Sequence, residues 1–206
     1  FLLSLSRFDG RQLASQYREL MALYPAQLVC AQLLEPVLDE LEQRPANHYG
    51  NQLEKQFLQS WLHNQLTSRL TQEQEHNQGA RLVLANLSDT SPEPRQSLLC
   101  MLLSSAGYQL VMLEGQVPAS ELTLLHERCP LQAMVLISSQ RMESTQLERE
   151  LPRLNAQTDC QRFAVGPIIQ MHANELSASG IKLLSNSPAK SFELLHQQLA
   201  APEALS

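Results

Sequence analysis

Apolar residues recur at a helical spacing through the first 72 residues of the chain. They return every three or four positions, which puts them on one face of a helix. The positions that share this spacing are Leu13, Tyr17, Leu20 and Leu23, then Leu28, Leu33, Leu34, Val37, Leu38 and Leu41, then Leu53, Phe57, Trp61, Leu62, Leu66 and Leu70. The pattern predicts a bundle of four antiparallel helices over residues 1–72.

Capping residues and prolines mark the ends of these helices. Asp9 can cap the first long helix, and Pro25 suits the first turn of the next one. Pro36 lies inside that second helix and predicts a kink or a break, because proline lacks the N–H that the helix needs. Residues 45–50 are predicted to connect it to the long helix that follows.

The hydrophobic period changes after residues 71–79, a polar stretch (TQEQEHNQG) that is typical of a linker. Short apolar runs then alternate with helical segments, which predicts an α/β domain with a parallel sheet. The predicted strands are 81–87, 109–113, 132–137, 162–165 and 181–184, and the predicted helices are 96–106, 118–129, 143–155 and 188–199. Right-handed crossovers favour a flavodoxin-like (Rossmann-like) strand order, 2-1-3-4-5. The domains are therefore predicted to be a helical bundle, 1–72, and an α/β domain, 80–201.

The net charge and the composition of the chain exclude several classes of function. The chain has 206 residues, of which 43% are hydrophobic and 17% charged, and this balance predicts a globular protein. Its net charge is -6 at pH 7, and no cluster of Lys and Arg occurs, so we expect no direct contact with nucleic acid. No apolar run has the length of a membrane span.

The cysteines and histidines do not form a recognisable metal site. Cys30, Cys100, Cys129 and Cys160 contain no C-x-x-C pair, and reduced thiols packed as small hydrophobic residues predict a cytoplasmic protein. The six histidines are scattered, and we expect them to be solvated surface residues. The chain also lacks the G-x-S-x-G, G-x-G-x-x-G and P-loop motifs. We therefore expect no metal, no catalytic residue and no enzymatic activity.

A helical bundle followed by this sheet resembles the cobalamin-binding module of methionine synthase, of corrinoid methyl carriers and of light-responsive MerR-type repressors. The order of elements and the loop spacings match over nearly the whole chain. Ser138 follows the third strand, Gly166 follows the fourth, and Glu54 stands in the bundle, as in that family. Residues 8–13 (FDGRQL) look like the start of the module in MerR-type regulators.

The resemblance also implies which cobalamin-binding residues are missing. The family carries D-x-H-x-x-G after the first strand, where the His ligates cobalt, and this window falls on residues 90–95. Pro92 stands at the position of the ligand, and Arg95 replaces the glycine. In the bundle, Arg44 replaces a tryptophan and Lys55 a histidine. These replacements imply that the module does not bind cobalamin.

The resemblance implies a cleft between bundle and sheet. Its floor would be residues 90–95, 138–140 and 166–168, and its roof Arg44, Glu54, Lys55 and Leu58. Charged side chains beside a cleft must be paired with an opposite charge or remain solvated. We expect salt bridges from Arg44, Lys55 or Arg95 to Glu54 or Glu93 to close it; the alternative is an open cleft that binds a small polar or anionic effector.

The implied function is the effector and dimerisation region of a bacterial MerR-type regulator without cobalamin. DNA would be contacted only through an upstream domain, and the protein would be a homo-oligomer. One alternative is a cobalamin-binding photoreceptor or a corrinoid carrier. The second alternative is a protein-interaction antirepressor module, which predicts that side chains fill the space between bundle and sheet.

Overall fold

The computed structural model of the chain describes residues 1–45, 48–87, 93–113, 115–138 and 160–200. The first part is helical. Its elements are α1 (Leu2–Ser6), α2 (Gly10–Leu23), α3 (Ala26–Val29), a π-helical turn (Cys30–Leu34), α4 (Glu35–Gln43) and α5 (Asn51–Gln74). The side chain of Asp9 accepts a hydrogen bond from the backbone N–H of Gln12 at 2.9 Å, so the predicted cap of α2 is confirmed.

The helix that contains Pro36 does not break. Its backbone stays helical from α3 into α4, and the π turn Cys30–Leu34 lies just before the proline. Pro36 then occupies the first turn of α4, directly after this π turn. The change in helical type thus takes the place of the predicted kink or break.

The predicted apolar face of the bundle is correct in its centre and wrong at its margin. Leu13, Leu34, Leu41 and the other central positions are buried, but Leu23, Leu28 and Leu53 are exposed. Leu53 is an example, because it is apolar and yet 65% exposed. The buried stripe of α5 runs through Asn51, Glu54 and Leu58, and a shift of one residue turns a side chain by about 100° around a helix.

The linker between the two parts is shorter than predicted, because α5 continues through Gln74. The polar residues there serve as contacts to the sheet. Gln74 Nε2 donates to the carbonyl of Tyr108 at 3.0 Å, and its Oε1 accepts from the N–H of Leu110 at 2.7 Å. Asn77 also donates to the carbonyl of Tyr108. The division at 72–80 remains a prediction.

The second part is an α/β layer around a parallel sheet with the strand order 2-1-3-4-5, as predicted. Its strands are β1 (Arg81–Asn86), β2 (Gln109–Leu113), β3 (Ala133–Ile137), β4 (Gln161–Val165) and β5 (Lys182–Leu183). The described helices are α6 (Pro94–Ser105), α7 (Ala119–Arg128), α8 (Ile168–Ala178) and α9 (Pro188–Ala200). The helix α8 was not predicted, and the helix predicted at 143–155 lies outside the described residues.

The hydrophobic core joins the two parts. One cluster contains the buried leucines of the bundle together with Leu98, Met101 and Leu102 of α6 and Ala189 of α9. Two further clusters cover the opposite faces of the sheet. Because the bundle core includes side chains from α6 and α9, the bundle packs against these two helices of the second part.

Cys30, Cys100 and Cys160 are buried, in agreement with the predicted packing, and Cys129 is half-buried. Within the part of the chain that the structure describes, no helix combines the length and the apolar character that crossing a bilayer requires.

Candidate functional site

A cavity of about 630 Å³ lies between α4 of the bundle and the carboxyl edge of the sheet. We call it the interface cavity. Its lining comes from α4, from the start of α6, from the turn after β4 and from the turn before α9: Glu35, Asp39, Glu42, Glu93, Pro94, Arg95, Gln96, Leu99, Val165, Gly166, Pro167, Asn186, Ser187 and Pro188. A volume of this size falls in the range of about 300–1,000 Å³ that is common for small-molecule sites.

The start of α6 positions two of these residues. Pro94 fits the first turn, and the side chain of Glu93 accepts the backbone N–H of Gln96. In return, Gln96 Oε1 accepts the backbone N–H of Glu93 at 3.1 Å, which completes a capping box. This local structure fixes the first turn of α6, from which Arg95 reaches the bundle.

Arg95 connects the two walls of the interface cavity. Its Nη2 lies 2.6 Å from Asp39 Oδ1 and 3.0 Å from Glu42 Oε2, and its Nε lies 3.3 Å from Glu42 Oε1. Burial disfavours its charge, but the hydrogen bonds to Glu42 and Asp39 hold the pKa of Arg95 above its ordinary value. The partners are acidic residues of α4 and not Glu54 or Glu93, so this part of the predicted pairing is wrong.

Glu35 ties the bundle to α9. Its Oε1 accepts the backbone N–H of Ala189 at 2.7 Å and a contact from the Sγ of Cys30 at 3.6 Å. A carboxylate at a helix N-terminus satisfies a free N–H there and suits the helix dipole. Burial and the neighbouring Glu35 raise the pKa of the Cys30 thiol. The thiol therefore stays protonated and acts as a donor.

The remaining predicted site residues divide into two groups. Gly166 lines the interface cavity, and Ser138 lies buried beneath it: a Cβ on Gly166 would come within 2.8 Å of the carbonyl oxygen of Ser138. The backbone of Gly166 has a φ of +96°. Close packing and this backbone conformation therefore explain the glycine without a ligand. Pro92 lies outside the described residues.

Arg44, Glu54, Lys55 and Leu58 do not line the interface cavity. Arg44 Nη1 lies 2.6 Å from Glu54 Oε2, which is the salt bridge that we expected between these two residues. The hydrogen bond to Glu54 raises the pKa of Arg44. Leu58 is packed in the bundle core. The Arg44–Glu54 pair braces the connection between α4 and α5 and leaves the cavity open.

The sequence prediction missed the acidic side of the cavity. Glu35, Asp39 and Glu42 follow one another at intervals of four and three residues, which is the spacing of one helical face. Such a row normally indicates a solvated surface.

Glu93, on the opposite side of the cavity, has a raised pKa. Burial is the main cause, the charge of Glu42 adds to the rise, and the charge of Arg95 opposes it.

Gln96 is the second residue that the prediction missed. It is 4% exposed, and its Nε2 has no hydrogen-bond partner. This Nε2 lies 3.9 Å from the position that a Cβ on Gly166 would take. A buried donor without an acceptor costs about 1–3 kcal/mol. Gln96 also lines a smaller space of about 50 Å³ between α5 and the sheet.

The prediction that the histidines are surface residues is wrong for His172, which is 5% exposed. It lies on α8 four residues from each of the buried residues Ile168 and Leu176. The helix is kinked at His172, and the low exposure of this residue shows that it faces inward. The interface cavity has no histidine among its described lining residues.

The comparisons with known proteins show the fold. No family model and no curated protein matches the sequence. A novel cobalamin-binding protein from Desulfitobacterium hafniense DCB-2 is 13% identical, with a TM-score of 0.48 over 97% of this chain and 96% of that chain. The monomethylamine corrinoid protein of Methanosarcina barkeri is 15% identical, with a TM-score of 0.62 over 95% of this chain and 94% of that chain. The chain thus has a fold like that of cobalamin-binding domains.

Proposed function

We propose that the chain is an effector-binding module on the cobalamin-binding fold, and that its interface cavity binds a small molecule other than cobalamin. The observation that supports this proposal most directly is the position of Arg95 and its salt bridges. It occupies the position of a family glycine and bridges the cavity to Asp39 and Glu42. The cavity nevertheless keeps about 630 Å³.

The chemistry of the lining does not fit cobalamin. Cobalt is ligated by an imidazole in the family, and the described lining offers carboxylates and one guanidinium instead. The nucleotide tail of cobalamin carries a phosphate, which the four carboxylates would repel. The second space beside the sheet, next to α5, measures only about 50 Å³, although His63 lines it.

The test of this proposal is the visible spectrum of the protein after it is mixed with adenosylcobalamin or methylcobalamin and desalted. Because the described lining offers no imidazole and its carboxylates would repel the phosphate of the nucleotide tail, we expect a colourless protein. A stoichiometric corrinoid spectrum would contradict the proposal. It would favour the second candidate, a corrinoid carrier or cobalamin-dependent photoreceptor, which the likeness to the corrinoid protein of Methanosarcina barkeri supports.

The open cavity argues against the third candidate, a pure protein-interaction module. That function predicted a space filled by side chains, whereas the interface cavity has a volume typical of a ligand site.

We further propose that the module belongs to a MerR-type transcription regulator, on the resemblance of residues 8–13 to such proteins. Two half-sites on DNA require two-fold symmetry, so the full-length gene product is expected to be a dimer with an upstream DNA-binding domain. Light scattering on that product, together with its sequence, tests this. A monomer, or a gene without such a domain, contradicts the regulator.

A further inference from the structure

The corner between α2 and α3 exposes three large apolar side chains that are close in the chain. Leu23 ends α2, Tyr24 follows it and Leu28 lies in α3, and these residues are 67%, 48% and 45% exposed. Single exposed apolar side chains are common on protein surfaces, whereas contiguous patches of a few hundred Å² often mark interaction sites. Three such residues within six positions form a patch of this second kind.

A surface groove of about 320 Å³ lies in the same corner, and we call it the corner groove. Its lining residues are Leu20, Tyr24, Leu28, Val29, Gln32 and Leu33, and none of these described residues is charged. Leu23 does not line the groove but stands beside it, since it follows Leu20 by three positions on the same helix. A protruding leucine therefore lies next to an apolar groove.

The shape and the charge of this corner favour a second copy of the chain as the occupant of the groove. The lining has no charged side chain with which to recognise a charged partner. The exposed charges that precede the corner on α2, Arg18 and Glu19, are opposite in sign. Two copies with a net charge of -6 each repel one another least where their surfaces are locally neutral. Under two-fold rotation, the protrusion of each copy meets the groove of the other.

The exposed area of the corner fits a weak dimer. Three side chains exposed to this extent present on the order of 300 Å² of apolar surface. Because about 57% of a typical interface is apolar, this area corresponds to roughly 500 Å² on each copy and about 1,000 Å² in total. That total lies at the lower end of specific interfaces. We therefore expect a dissociation constant on the order of 10 µM.

We propose that two copies of this chain form a two-fold dimer through the α2–α3 corner, with Leu23 of each copy in the corner groove of the other. Tyr24 lies at the same contact, and tyrosine is enriched in protein interfaces. The inference rests neither on a ligand in the interface cavity nor on an upstream DNA-binding domain. It therefore holds or fails separately from the proposed function.

Sedimentation velocity of the whole chain at increasing concentration tests the dimer. With a dissociation constant on the order of 10 µM, the observed mass should rise from 23.2 kDa at about 1 µM toward twice that value at about 200 µM. A chain that stays monomeric at the higher concentration overturns the proposal and leaves the groove to a different partner or to solvent.

A matched pair of variants locates the contact. Leu28→Glu should weaken dimerisation by about tenfold or more, because it places an unpaired charge in the apolar groove. Leu53→Glu is the control, since Leu53 is also an exposed leucine in the first turn of a helix but lies on α5, outside the groove. Both variants have the same net charge, and the control should leave the dissociation constant unchanged. Equal weakening by the two would overturn the proposal. Circular dichroism checks that both are folded.

A mixture of two variants tests the arrangement of the dimer. Leu23→Lys places a cation on the protrusion, and Leu28→Glu places a carboxylate in the groove. Each variant alone disrupts both of the equivalent contacts that the two-fold axis generates. A mixed dimer keeps one original contact and gains one ion pair, so the mixture should dimerise about tenfold more tightly than either variant alone. A mixture that dimerises no more tightly than the separate variants would overturn the placement of Leu23 in the partner groove.

Discussion

Replacing Gly166 with alanine is expected to lower the free energy of unfolding by about 2–4 kcal/mol. A non-glycine residue held at a positive φ costs roughly 1–3 kcal/mol, and Gly166 has a φ of +96°. The added Cβ would also lie 2.8 Å from the carbonyl oxygen of Ser138. That contact is with backbone at the end of β3, which cannot move aside without disturbing the sheet.

Urea denaturation followed by circular dichroism measures this effect, and Gly115→Ala is the matched control. A Cβ at Gly115 meets nothing within 4 Å, so its replacement should change stability by less than about 0.5 kcal/mol. Equal stability of the two variants would contradict the account of Gly166. A large difference would mean that this glycine is required by the fold, so that its presence is no sign of cobalamin binding.

The second large effect is expected from Leu98→Ala, which should cost about 2–5 kcal/mol of stability because it leaves a cavity in a packed core. Leu98 is fully buried on α6, in the cluster that also contains the leucines of the bundle. Trp61 is the single tryptophan and lies in the same cluster. Its fluorescence therefore reports on the bundle, while far-ultraviolet circular dichroism reports on the whole chain.

Both signals should move to lower urea concentration together if the bundle and the α/β part share one core. The control is Leu53→Ala, since Leu53 is 65% exposed; it should change stability by less than about 1 kcal/mol. The circular dichroism transition could shift while the Trp61 fluorescence transition stays unchanged. That result would show that the two parts unfold separately, and it would contradict the shared core.

The sheet was predictable because its central strands, β1 and β3, are buried on both faces. Every residue of β3 is buried, so its composition is uniformly apolar and its period cannot be mistaken for that of a surface helix. The helix α8 escaped prediction because its inward face alternates apolar and polar types. His172 lies between Ile168 and Leu176 there and interrupts the apolar row. Its burial depends on tertiary packing, which local spacing does not report.

The candidate site was predictable only where it follows from strand ends and from loop spacing. Arg95 and Gly166 were placed by those rules, and both line the interface cavity. The acidic row of α4 could not be assigned to it, because Asp39 is more than fifty residues from Arg95 and charged rows on helices usually face solvent. Only the tertiary structure brings the two together, through the salt bridge of Arg95 to Asp39. Likewise, a glutamine that completes a capping box gives no sign in the sequence that its other end is buried.

The most direct test of the account is a calorimetric titration of the unmodified chain with hydroxocobalamin. Because the described lining of the interface cavity presents carboxylates and one guanidinium but no imidazole, we predict no saturable heat. Saturable binding of hydroxocobalamin would contradict the account and favour a corrinoid carrier or a cobalamin-dependent photoreceptor.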